Sequence, residues 1–148
     1  HPEKSMKKRG ERVMEYDNDQ MCFVCGKRNG DGLQLDFELV GEGGIRTEFT
    51  PPKRYQGWKD IVHGGIIATI LDEVMVNAAY LRKIVAVSAK LEIKLRRPAA
   101  VGERLIFHGR IVRQGAKTLN VKAWAEQENG DVVAEATGLL MKVGVLNG

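Results

Sequence analysis

The chain has 148 residues, of which 43% are hydrophobic and 28% charged, with a net charge of +4, a balance that fits one soluble globular domain with a substantial core. No uninterrupted apolar run reaches the roughly 18 residues of a membrane span, and the opening HPEKSMKKRGER lacks the apolar stretch of a secretory signal; no membrane role is expected, and the expected location is cytoplasmic. Two cysteines cannot make a disulfide framework, and with 6% aromatics, none interleaved with basic side chains as stacking platforms, no nucleic-acid partner is expected.

Residues 1–20 show no clear periodicity and read as an arm or short leading helix, with HPEKS a cloning remnant ahead of Met6. A single domain is expected over 21–146. CFVCGKRNGDGLQ (22–34) is turn-rich, punctuated by Gly26, Gly30 and Gly32. LQLDFELV (33–40) alternates apolar and polar residues as a half-buried strand does, and GEGG (41–44) is a hairpin turn into IRTEF (45–49). TPPKRYQGWKD (50–60) reads as a loop. From His63 to about Arg82 the pattern is helical and almost wholly apolar, so other structure must wrap that helix, about 30 Å long, on nearly every side.

Everything after the helix reads as strand. VAVSAKLEIKLRR (85–97) alternates strictly, with Val87, Ala89, Leu91, Ile93 and Leu95 on one face and Ser88, Lys90, Glu92, Lys94 and Arg96 on the other. Segments 104–115, 118–130 and 132–144 follow, with corners at Gly115 and Asn129-Gly130-Asp131. The order predicts an α+β fold: a curved antiparallel sheet wrapped around one long helix. Its open flank favours dimerisation.

His63-Gly64-Gly65 stands directly before the helix, and Asp72 lies within it. An unpaired buried carboxylate costs several kcal/mol. Paired glycines at a helix start expose backbone N–H groups to an oxygen bearing negative charge. Read from residues alone, two accounts stand. In one, Gly64 and Gly65 polarise a carbonyl oxygen while Asp72 acts as base or nucleophile. In the other, the glycines allow close packing, His63 is an ordinary cap and Asp72 pairs with a buried arginine. Nine residues advance a helix by about 13.5 Å and leave the two ends half a turn out of line. If helix start and carboxylate serve one site, they therefore come from two subunits.

Ser88 shares its predicted face with Lys90, Lys94 and Arg96, which together with Arg97 form a basic strip suited to phosphate groups. Glu73, with Thr69, Asn77 and Tyr80, belongs to a polar stripe on the helix and reads as solvated or hydrogen-bonded. Cys22 and Cys25 are a lone Cys-x-x-Cys. A structural zinc normally takes four ligands, so packing is expected and no metal is assigned.

HGGIIATILDE (63–73), CFVCGKRNGDGL (22–33), the loop with Gly57 and Trp58, and SAKLEIKLRRP (88–98) together resemble the hotdog-fold acyl-CoA thioesterases, particularly their phenylacetate-pathway-like branch. The resemblance implies a hotdog fold, a homodimer or dimer of dimers with intersubunit sites, and hydrolysis of acyl-CoA without metal or cofactor, coenzyme A being part of the substrate. It puts Asp72 at the catalytic acid's position, Gly64 at the oxyanion donor's and His63 at that of the histidine opening the helix. Ser88 matches a Ser or Thr that holds the attacking water in some members. Some relatives place Asn or Gln in the preceding loop; here Gly57 stands six before His63 with Gln56 beside it, making Gln56 the candidate there. Alternatives are an acyl-CoA-binding sensor and a hotdog hydratase or dehydratase.

Overall fold

A computed structural model describes residues 16–145. Six strands form one antiparallel sheet: β1 (Glu38–Val40), β2 (Gly44–Phe49), β3 (Ile84–Leu95), β4 (Leu105–Gln114), β5 (Thr118–Gln127) and β6 (Val132–Val145). Their spatial order is β1-β2-β4-β5-β6-β3, which leaves β1 and β3 at the edges. The one α-helix among the described residues, α1 (Gly64–Tyr80), touches β2, β3, β4, β5 and β6. This is the hotdog arrangement, a curved sheet around one central helix. The arm expected over 1–20 lies largely outside the described residues, as does the end of the domain at 146.

The helix is enclosed for the reason its composition demands. Ile67, Ile70, Leu71, Val74, Met75, Ala78 and Ala79 are all buried and meet Ile45, Phe107, Leu119, Val121 and Leu140 of the sheet in one core. His63 caps its start, accepting the Gly65 N–H on Nδ1 at 2.9 Å. At its end Arg82 donates to the Ala78 carbonyl at 2.9 Å and to the Gly44 carbonyl at 2.9 Å, joining the last turn to the β1–β2 hairpin. No helix among the described residues is long and apolar enough to cross a membrane.

Two expectations change. Only Glu38–Val40 of the predicted 33–40 strand pairs with β2; Leu33 and Leu35 instead donate backbone bonds to Phe23 and Val24 at 2.8 and 2.9 Å, so the first half of that run braces the cysteine loop. The strict alternation of β3 also fails. Its pairing with β6 slips between Ser88 and Lys90, a bulge in which Ala89 is the extra residue. Before the bulge, buried Ala86 and half-buried Ser88 face the helix; after it, Ile93 packs on the core and Leu95 reaches Gly64. One inserted residue reverses the faces.

Candidate active site

Three local structures bring the site together. The loop 50–62 is folded back on itself: Gly57 N–H donates to the Ile61 carbonyl at 2.8 Å and His63 N–H to the Tyr55 carbonyl at 2.9 Å. Val62 N–H donates to the Ala99 carbonyl at 2.9 Å, which fixes the loop to the segment after β3. The helix start is thereby held at one end of the sheet. Further along α1, β3 passes over Asp72, and the bulge turns Ser88 inward.

Ser88 Oγ donates to Asp72 Oδ1 at 2.5 Å, and both residues are partly buried. Among the described residues this hydroxyl, rather than an arginine, is the partner of the Asp72 side chain. A hydroxyl leaves the carboxylate its charge and a second oxygen.

His63 and the two glycines take different parts. Because Gly65 N–H is bonded to His63 Nδ1, it is not free for a ligand. Accepting at Nδ1 leaves the ring proton on Nε2 of this exposed side chain. Gly64 N–H makes no hydrogen bond among the described residues and is the donor the helix start offers. The opening beside it is a groove of about 400 Å³ lined by Gly57, Trp58, Ile61, Val62, His63 and Gly64. Trp58 is 84% exposed there; sequence reasoning placed it in the loop without giving it a role, and its signal was an aromatic five residues before the cap.

The other expected contacts disperse. Gln56 Oε1 accepts the Asp60 N–H at 3.0 Å, so that side chain braces the loop. Lys90 and Lys94 lie on the outer face of the sheet, in grooves shared with Glu92 and, for Lys94, Glu135 and Trp124. Arg96 Nε donates to Glu135 Oε1 at 2.6 Å. The basic strip is thus interleaved with carboxylates and faces away from the Asp72–Ser88 pair of its own protomer, because the bulge separates Ser88 from Lys90. Asp72 and Gly64 stand on one unbroken helix and rise about 12 Å apart along its axis, so they do not meet within one protomer.

A second polar cluster sits next to the first. Glu73 accepts from Cys22 Sγ at 3.2 Å, from Cys25 Sγ at 3.8 Å and from Asn77 Nδ2 at 2.6 Å. Burial pushes the Glu73 carboxyl above its usual range, against the pull of the Cys22 and Asn77 hydrogen bonds, with the Asp72 charge adding to the rise. Burial and then the Glu73 charge push the Cys25 thiol up to about 12. This grouping depends on contacts across 48 and 51 residues of chain, which spacing could not reveal.

The chain belongs to the thioesterase superfamily, whose family model matches residues 59–134. Solved structures share its fold. The smu.793 protein of Streptococcus mutans, solved bound to acetyl CoA, is similar at 21% identity and a TM-score of 0.72, over 76% of this chain and 91% of that one. A hypothetical thioesterase of Streptococcus pneumoniae solved with coenzyme A is similar at 18% identity and a TM-score of 0.72, over the same shares, 76% and 91%. The PaaI protein of Escherichia coli, from the phenylacetic acid degradation operon, is similar at 21% identity and a TM-score of 0.71, over 76% and 82%. No curated protein matches the sequence.

Proposed function

We propose that the protein hydrolyses an acyl-CoA thioester to a free acid and coenzyme A, in a homodimer or dimer of dimers whose sites each draw on two subunits. The observation that carries this reading is the Asp72–Ser88 hydrogen bond of 2.5 Å on the helix of a thioesterase-superfamily fold. The thioester oxygen accepts from Gly64 N–H of one protomer. Asp72 of the partner subunit takes the proton from a water held beside Ser88, or attacks the carbonyl carbon itself, expelling the thiolate and leaving a mixed anhydride that water then hydrolyses to the free acid. In the water route the new C–O bond forms as the proton passes to the carboxylate; the tetrahedral intermediate then expels the thiolate, which leaves as the protonated thiol. His63 Nε2–H faces the opening and orients the thioester on its sulfur side. Gly65 supports the site through the cap.

Two further observations support this reading. Structures similar to this one have been solved with acetyl CoA or coenzyme A bound. The Streptococcus pneumoniae protein has been made with alanine at an aspartate and at a threonine, and their separation of sixteen residues equals that of Asp72 and Ser88. Gln56, Lys90, Lys94 and Arg96 touch substrate in this proposal only if they serve the partner's site, since each is turned from Asp72 within its own subunit.

Thiol release from a panel of acyl-CoA thioesters tests the reading. Asp72→Asn keeps the shape and the Ser88 contact while removing the basic oxygen, and is expected to cut turnover by about 10²–10⁴-fold, the usual worth of a positioned acid–base group, with the folded state retained. Near-normal turnover by this variant would overturn the mechanism. Binding of acyl-CoA by the unmodified protein without thiol release would favour the sensor instead.

A further inference from the structure

We propose that Cys22, Cys25 and Glu73 form a site for a divalent transition metal of the zinc class, which clips the segment 22–35 onto α1. Packing was the expected role of the cysteines because two ligands are too few. The fold supplies a third, and the ligand atoms of all three residues lie within 4.8 Å of one another. In a tetrahedral zinc site, with Zn–S near 2.3 Å and Zn–O near 2.1 Å, a sulfur and an oxygen ligand stand about 3.6 Å apart. The two S···O distances here, 3.2 Å from Cys22 Sγ to Glu73 Oε2 and 3.8 Å from Cys25 Sγ to Glu73 Oε1, bracket that value, one on each carboxylate oxygen.

The local chain is shaped for the purpose. Gly26 N–H closes the Cys-x-x-Cys turn on the Cys22 carbonyl at 2.9 Å. A Cβ at position 26 would lie 2.4 Å from Cys22 N and 2.5 Å from the Gln20 carbonyl oxygen, so only glycine lets the turn close. Both thiols then face the same carboxylate. Asn77 Nδ2 holds Glu73 Oε1 from behind at 2.6 Å, the kind of outer contact that fixes a metal-binding carboxylate. Val24 within the turn and Leu35 beyond it are buried in the core, so the segment already lies where a metal would fasten it.

Chemistry favours an ion over three bare side chains. Thiols are weak donors, and a partly buried carboxylate gains little from two of them. A dication converts both to thiolates and balances most of the charge of all three ligands. Two soft sulfurs with one carboxylate select zinc or its close neighbours over magnesium or calcium. Water completes the tetrahedron.

The full chain, reduced and stripped with a chelator, is titrated with Co²⁺ and then Zn²⁺. One Co²⁺ per chain is expected, with the visible bands of tetrahedral cobalt and a thiolate-to-cobalt charge-transfer band, both lost on adding Zn²⁺. Cys22→Ser and Cys25→Ser each reduce the charge-transfer band and weaken binding at least tenfold. Glu73→Gln, nearly isosteric, weakens binding at least tenfold with the band retained. Zn²⁺ raises the melting temperature of the unmodified chain but not that of Cys22→Ser. Equal Co²⁺ uptake by the unmodified chain and Cys22→Ser would overturn the proposal, as would binding without a thiolate band or closure of the cysteines to a disulfide in the presence of Zn²⁺. None of these readouts involves thioester hydrolysis, so this site and the Asp72 mechanism stand or fall separately.

Discussion

At the scale of single residues, the two glycines that open α1 look equivalent in sequence but have different jobs. The Gly65 N–H is consumed by the His63 cap, and a Cβ on Gly65 would press His63 Nδ1 at 3.0 Å. The Gly64 N–H is the one left over. Its contribution can be removed without disturbing the helix, because proline is favoured at the first helical position, where the N–H has no partner in the helix. His63 before it has φ −60° and ψ 128°, the extended conformation a following proline requires. Gly64 itself is not among the glycines with positive φ. The nearest obstacle to a side chain at 64 is Leu95 Cδ1 at 2.6 Å, the tip of an exposed and movable leucine. Gly64→Pro is therefore expected to fold with a circular dichroism spectrum like that of the unmodified chain. Its turnover should fall by about 10²–10³-fold, the loss typical of one oxyanion donor. Turnover within a few-fold of normal would show that the oxygen is bound elsewhere.

At the scale of elements, the helix lies so close to the sheet that some strand positions admit no side chain. Gly109 of β4 faces Val74, and a Cβ there would sit 2.6 Å from Val74 Cγ1 and 2.9 Å from Ile45 Cγ2. Both neighbours are branched at Cβ and stiff. Gly138 of β6 would press Met75 at 2.9 Å, and methionine yields easily. Gly109→Ala should destabilise by about 1–3 kcal/mol through overpacking, while Gly138→Ala should stay within about 1 kcal/mol of the unmodified protein; urea unfolding of the two variants checks the order. Such close approach explains why the elements were legible and the faces were not. The long apolar helix, the β1–β2 turn at Gly41–Gly44 and the later strands follow from periodicity and turn residues. The Ala89 bulge does not, since 85–97 alternates without interruption and nothing in its composition marks the slip. A place for Ser88 in the site was thus suggested only by family resemblance, its bond to Asp72 was not foreseen, and Ser88 was otherwise grouped with lysines it does not accompany. Glu73 joined the cysteines only through contacts the sequence separates by some fifty residues.

For the whole molecule, one subunit holds both halves of the proposed site and cannot use them together. Gly64 and Asp72 are fixed about 12 Å apart on a single helix. The sheet meanwhile ends in β3, a 12-residue edge strand that carries Leu91 and Leu95 at 39% and 55% exposure. A long edge with apolar side chains calls for cover, and β3 also carries Ser88 and reaches Gly64 through Leu95. Pairing two copies along this edge would cover it and bring each Asp72–Ser88 pair toward the partner's helix start. Two defective subunits should then repair one another. In a mixed dimer of Asp72→Asn and Gly64→Pro, one site receives both defects and the other receives neither, so mixing the unfolded variants and refolding them together should restore activity that each lacks alone. Refolding them separately and combining them without subunit exchange should restore none. If the co-refolded mixture stays as inactive as its parts while sedimenting as a dimer, Gly64 and Asp72 do not complete one site across two subunits, and because the helix keeps them apart within one, the thioester oxygen has a different donor.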